Sequence, residues 1–89
     1  MPHHIAQVLR PFRELTVNQV IMLAVVYDGP ATVRGIAATM GVSKSFITRG
    51  ADRFEDIGLA RRREDPDDRR SIRIEITAKG RRLLDAVRS

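Results

Sequence analysis

The 89-residue sequence predicts a mainly α domain carrying a small β-hairpin wing. Three observations predict it. From Ile5 to Phe54 the apolar residues recur at helical spacing in successive short blocks separated by turn residues. Between Leu59 and Thr77 the period changes to alternation on either side of a polar Asp-Pro-Asp-Asp segment, the pattern of a hairpin. After Thr77 helical spacing returns, with Leu83, Leu84 and Val87 on one side.

Each element has its own justification. Ile5, Val8, Leu9, Phe12 and Leu15 share one helix face. Pro11 interrupts that face, because proline removes a backbone donor and clashes with the preceding turn, so the helix kinks or restarts there. Thr16 is an N-cap, and Gln19 three positions on completes a capping box. The next helix should run from Val17 to about Tyr27, and its apolar residues cover more than one face, which makes it central. Asp28-Gly29-Pro30 ends it with turn residues. Thr32 opens a short helix, Val33 to Met40, with Val33, Ile36, Ala37 and Met40 in one stripe and Gly41 closing it.

Ser43 caps a third helix running to about Ile57, and Gly58 terminates it. Ile47, Ala51 and Phe54 face inward, and Phe46 is placed with them in preference to the groove boundary. Two helices joined by a short turn containing glycine are a helix-turn-helix. Leu59 to Arg63 then forms a strand, Glu64 to Arg70 a turn, and Ser71 to Thr77 a second strand in which Ile72, Ile74 and Ile76 alternate with Arg73 and Glu75. Thr77 caps a last helix, Ala78 to about Arg88. A hairpin placed directly after a helix-turn-helix makes the whole a winged helix-turn-helix. We read residues 1–89 as one domain: an N-terminal helix over 1–15, a lobe over 16–77 and a C-terminal helix over 78–89.

Size and charge narrow the function. A chain this short holds a single thin core, which excludes a multi-domain enzyme and leaves little room for a deep catalytic cavity. Sixteen Lys and Arg against 11 Asp and Glu give +5, which points to an anionic partner. Lys44 and Lys79 are the only lysines; the remaining bases are arginines, whose planar fork suits phosphate and guanine. A GC-rich codon bias accounts for the arginine preference equally well, but not for the excess of positive charge. With no cysteine, disulfides and thiolate metal sites are impossible. His3 and His4 have no third ligand nearby, and no phosphate-binding glycine loop or acid-base constellation is present, so we expect no metal, no cofactor and no enzymatic activity. The longest uncharged stretch, Leu15 to Tyr27, is too short and polar to span a bilayer, and the start of the chain does not read as a signal peptide; a cytoplasmic location is expected.

The third helix carries the candidate base-reading residues, because the major groove admits a helix whose first turns meet base edges. Ser43, Lys44, Ser45, Thr48 and Arg49 project from those turns. Arg49 is suited to a bidentate guanine contact, Thr48 to a base edge or a thymine methyl, and Ser43, Lys44 and Ser45 to phosphate or base. Arg53 either reaches the backbone or pairs with Asp56 on the same helix. Arg34, at the start of the preceding helix, is a backbone candidate. In the run Arg61-Arg62-Arg63, alternation puts Arg62 on the face opposite its neighbours. Gly50 is unusual, since a glycine inside a helix costs about 1 kcal/mol relative to alanine; close packing against a neighbouring helix is the simplest account.

From Leu15 to Leu84 the chain resembles the DNA-binding half of the MarR family of bacterial transcriptional regulators. The resemblance is carried by Leu15-Thr16 with Gln19, by Thr32-Val33-Arg34-Gly35-Ile36-Ala37 leading to Gly41-Val42-Ser43, by Thr48-Arg49 and Asp52-Arg53-Phe54-Glu55, and by Gly58-Leu59 with Arg61-Arg62. The wing Asp65-Pro66-Asp67-Asp68-Arg69-Arg70-Ser71 and the close Ile76-Thr77-Ala78-Lys79-Gly80 make it specific. Gly50 departs from it, since the family usually has an aliphatic residue there.

The resemblance implies sequence-specific binding to double-stranded DNA. Arg70 is then the minor-groove residue, beside Arg69, with Asp68 shaping the wing tip; Arg34, Arg53 and Arg62 complete the DNA-binding set. It also implies a homodimer, here through Ile5, Val8, Leu9, Phe12, Leu83, Leu84 and Val87. Family members have longer terminal helices that enclose an effector pocket. In a chain ending at Ser89 that pocket lacks most of one wall, so no small-molecule effector is expected. The alternative is a winged helix used as a protein-protein interaction module that modulates a larger regulator or a polymerase.

Overall fold

Residues 15–88 are described by a computed structural model, and their helices begin where a hydroxyl can accept a backbone proton. Thr16 Oγ1 accepts from Gln19 N at 3.1 Å while Gln19 Oε1 accepts from Thr16 N at 3.0 Å, the full capping box. Helix α1, Val17–Val25, follows. Thr32 Oγ1 accepts from Gly35 N at 3.0 Å to start α2, Val33–Met40. Ser43 Oγ accepts from Phe46 N at 3.1 Å to start α3, Lys44–Ile57. Thr77 Oγ1 accepts from Gly80 N at 3.1 Å to start α4, Ala78–Arg88. Caps of this kind contribute about 1 kcal/mol each. Gly41 and Gly58 end α2 and α3 with φ of 69° and 76°, the left-handed conformation that glycine adopts without strain.

The strands differ more from expectation. Beside β2, Ala60–Asp65, and β3, Asp68–Ile76, the chain has a two-residue strand β1, Ala31–Thr32. It pairs antiparallel with β3 through Ala31↔Ile74 and Thr32↔Arg73, so the wing is part of a three-stranded sheet in the order β1-β3-β2. Two residues carry no alternation, which is why the sequence is silent about this strand. The hairpin is also longer than the alternation implies. Its turn is only Pro66-Asp67, and the ladder runs out to Asp65↔Asp68, with a register shift between Glu64 and Asp65. That shift leaves Arg69, Arg70 and Ser71 without cross-strand partners, so β3 bulges just short of the tip and the two charged side chains stand in solvent. Helix α1 stops at Val25, two residues short of Tyr27. Tyr27 N turns back to Ala24 O at 3.2 Å, which tightens the end of the helix and directs the chain toward β1.

The core draws on all four helices and on the β2–β3 hairpin, where Ala60 of β2 is buried. Met22 and Leu23 of α1 with Val26 beyond it, Ile36 of α2, Ile47 and Phe54 of α3, Leu59, Ile74 of β3, and Leu83 and Leu84 of α4 are all buried. Phe46 is half-buried and packs on this cluster, as read from its position. Gly50 faces α1, where a β-carbon would stand 2.8 Å from Met22 Sδ; close helix packing is the reason for the glycine.

One set of expectations changes here. Leu83 and Leu84 are assigned from sequence to a dimer face, yet both lie in the core of their own chain, 9% and 7% exposed, because α4 packs back on the lobe. Val87 alone of that helical trio is open, at 48%. Ile5, Val8, Leu9, Pro11, Phe12 and the two histidines lie outside the described residues.

Candidate nucleic-acid interface

Helix α3 is the centre of the site, and its two ends are held independently. At its start Ser43 caps the first turn. At its end Lys79 Nζ donates to Ile57 O at 2.8 Å and Thr77 Oγ1 donates to Gly58 O at 2.6 Å, so the first turn of α4 satisfies carbonyls that α3 leaves open. Sequence reasoning treats Lys79 and Thr77 as local features of α4; their role on α3 spans 19 to 22 positions and has no local signature.

Lys44, Ser45, Thr48 and Arg49 are all exposed on the first two turns of α3, and Ser43 is exposed at the cap. Thr48 Oγ1 donates to Lys44 O at 3.0 Å, which commits its proton to the helix and leaves its hydroxyl oxygen as an acceptor. Between these turns and the sheet lies a cleft of about 270 Å³. It is lined by Thr32, Val33 and Arg34 around the start of α2, by Lys44 and Thr48 of α3, and by Arg70, Ser71 and Ile72 of β3. The structure therefore brings Arg34, Lys44, Thr48 and Arg70 together around one opening. Thr32 and Ile72 line it as well, and neither was singled out for this surface by sequence reasoning, since Thr32 reads as a cap and Ile72 as core.

Apart from Arg53, the basic residues of α2, α3 and the sheet fall into two groups. Arg61 and Arg63 both bind Glu75, Arg61 at 2.6 Å and Arg63 at 3.2 Å, across the β2–β3 ladder. Arg73 reaches Asp65 at 3.3 Å. Arg62 turns to the other face of β2, as alternation requires, and its guanidinium bonds Asp52, Glu55 and the Thr48 carbonyl of α3. Burial disfavours its charge, but the hydrogen bonds and attraction from Asp52 and Glu55 outweigh that and raise its pKa. The hydrogen bond from Arg61 is the main reason the Glu75 carboxyl lies below its ordinary range; attraction from both arginines adds to it against a desolvation cost.

The second group is Arg34, Lys44, Arg49 and Arg69, which have no acidic partner among the described residues, together with Arg70, 98% exposed and 4.0 Å from Asp68. Arg53 is half-buried and engaged. At the wing tip Asp68 Oδ1 accepts from Arg70 N at 3.0 Å and Asp68 Oδ2 from Ser71 Oγ at 3.3 Å. Asp65 Oδ1 accepts from Asp67 N at 2.9 Å. The wing acids thus hold the tip backbone in shape.

Among the described residues no group of three or more His, Asp or Glu could hold a metal ion, and no helix is long and apolar enough to cross a membrane.

A helix-turn-helix followed by an antiparallel hairpin, with exposed cations on both, defines a winged helix-turn-helix protein. The chain belongs to the MarR family, which it matches over residues 14–71. It is 38% identical over 66 residues to the uncharacterized protein Rv2011c of Mycobacterium tuberculosis, a match that covers 74% of this chain and 46% of that one. The chain therefore spans about half the length of that relative. Among solved structures, the transcriptional regulator BldR from Sulfolobus solfataricus superposes with a TM-score of 0.80 at 32% identity, covering 96% of this chain and 62% of BldR. The MepR–DNA complex of S. aureus shares the fold, with a TM-score of 0.82 at 24% identity over 94% of this chain and 69% of MepR.

Proposed function

We propose that the protein is a sequence-specific regulator that binds double-stranded DNA, with α3 in the major groove and the β2–β3 wing in the adjacent minor groove. The observation that carries the reading is the cleft itself. Three elements meet there, and the cations that line it, Arg34, Lys44 and Arg70, have no strong ion pair among the described residues. A cation already held by a carboxylate gains less from phosphate, whereas an unpartnered one gains a charge-assisted contact and releases counterions.

In this reading Ser43, Lys44, Ser45, Thr48 and Arg49 meet base edges and phosphates. Arg34 and Arg53 contact the backbone, and Arg69 and Arg70 follow the minor groove on a tip held by Asp68. Arg62 belongs to the same interface through α3. That BldR is a transcriptional regulator and MepR binds DNA supports the reading by fold. A homodimer would present two such units to a symmetric site; Val87 and the N-terminal residues Ile5, Val8, Leu9 and Phe12 are then the contacts, with Leu83 and Leu84 supporting them from the core.

Sites selected from a genomic fragment library test it. Wild type should enrich a palindrome, and affinity should fall steeply between low and moderate salt. Arg49→Ala and Arg70→Ala should each weaken binding by about tenfold. A flat salt response, or two variants that bind as wild type does, would overturn it.

A further inference from the structure

Arg62 reaches from the wing to the recognition helix through several bonds at once. Its Nη2 donates to Thr48 O at 3.0 Å and to Asp52 Oδ1 at 2.5 Å, its Nη1 to Glu55 Oε1, and its backbone N to Glu55 Oε2 at 3.4 Å. Thr48, Asp52 and Glu55 occupy successive turns of α3 on the side that faces β2. The side chain is 27% exposed, against 57% and 59% for Arg61 and Arg63, so the middle arginine of the run is the one withdrawn from solvent.

We infer that Arg62 is a positioning residue for DNA binding: it fixes the angle between the wing and α3, so that Arg70 and α3 can occupy adjacent grooves together. The inference rests on the DNA-binding reading above. Arg62 pairs with Ile74 at the base of the wing, and Arg70 lies four residues further along β3. The strand bulges beyond Ile72, so the extended rise sets an upper bound of about 13 Å on this lever, and a tilt of about 10° at its base displaces Arg70 by up to roughly 2 Å, enough to break a hydrogen bond. The bridge needs a planar fork. Guanidinium donors engage a main-chain carbonyl and two carboxylates simultaneously, whereas a lysine ammonium at the end of a flexible stem holds a point charge near them without fixing direction. Arg62 also neutralises charge where it matters, since Asp52 and Glu55 are carboxylates on the helix that must approach phosphates.

A double-mutant cycle on the full chain separates positioning from simple stability, because Arg62 and Arg70 have no bond to each other. The probe is a duplex selected by the wild-type protein. Arg62→Lys should lower affinity about tenfold, and the cost of Arg70→Ala, about tenfold in wild type, should shrink to threefold or less in the Arg62→Lys background. An undiminished Arg70→Ala cost, or wild-type affinity in Arg62→Lys, would overturn the inference. Should Arg62→Lys fail to fold, the pair Asp52→Asn and Glu55→Gln, which keeps Arg62 and removes its anchors, gives the same cycle with the same two outcomes. A wild-type chain that selects no DNA would instead overturn the DNA-binding reading, and the inference with it.

Discussion

Gly80 packs so closely on the main chain at Leu59 that a β-carbon on Gly80 would stand 2.3 Å from the Leu59 carbonyl oxygen and 2.7 Å from Ile76 Cγ1. That carbonyl also accepts from Thr77 N at 3.0 Å, so neither partner can yield without loosening the joint between the sheet and α4. Gly80→Ala should therefore destabilise the fold by about 2 kcal/mol or more. For a domain of this size that is a fall in Tm of roughly 10 °C, read by circular dichroism. A change of only a degree or two would show that the joint is softer than its geometry.

Gly50 is the contrasting case. Its added β-carbon would meet Met22 Sδ at 2.8 Å, a flexible thioether instead of backbone. Alanine gains about 1 kcal/mol of helix propensity at that position. Moving a fully buried Met22 costs about the same, at the low end for overpacking. Gly50→Ala should thus leave Tm within a few degrees of wild type, and Gly50→Val, β-branched and larger, should lower it clearly. Thermal unfolding of the two variants side by side checks the order.

Asp68 organises the wing tip without contributing to the core. Replacing it by alanine removes the acceptor for Arg70 N and Ser71 Oγ. Because the residue is exposed, Tm should move by only a few degrees, while DNA affinity should fall several-fold as the tip loosens. Asp68→Asn keeps the oxygen that accepts from Arg70 N and should retain most of the affinity. Equal loss in both variants would assign the effect to charge and not to tip shape.

Acid should weaken the ladder at Glu75. Its carboxyl is held below the ordinary glutamate range, chiefly by the Arg61 hydrogen bond. A group with a depressed folded pKa contributes stability above its unfolded pKa and loses it as pH falls through the folded value. The Glu75 contribution is therefore complete at neutral pH and disappears below the ordinary glutamate range. Glu75→Gln should lower Tm slightly at pH 7 and flatten the acid decline; a variant whose Tm parallels wild type down to strongly acid pH would contradict this.

Much of the architecture was legible residue by residue. Thr16, Thr32, Ser43 and Thr77 mark the helix starts because a cap is an interaction between positions three apart. Gly41 and Gly58 mark two ends because the left-handed turn is a property of one residue. The alternation of Arg61, Arg62 and Arg63 between two faces also follows from the strand alone. The membership of Leu83 and Leu84 in this chain's own core did not, because an apolar stripe states that a face is covered and not by what.

What the sequence by itself determined is the order of the helices and the hairpin, the helix starts, and the excess of arginine. What only the tertiary structure decided is how each arginine is used. Arg61 and Arg63 meet Glu75 across a ladder, Arg62 meets three turns of α3, and Arg70 stays open beside the cleft. Local propensity acts over three or four positions and is written in adjacent residues. Ion pairs that join residues seven to fourteen positions apart depend on how strands and helices are brought together, and that is settled by the packing of the whole core.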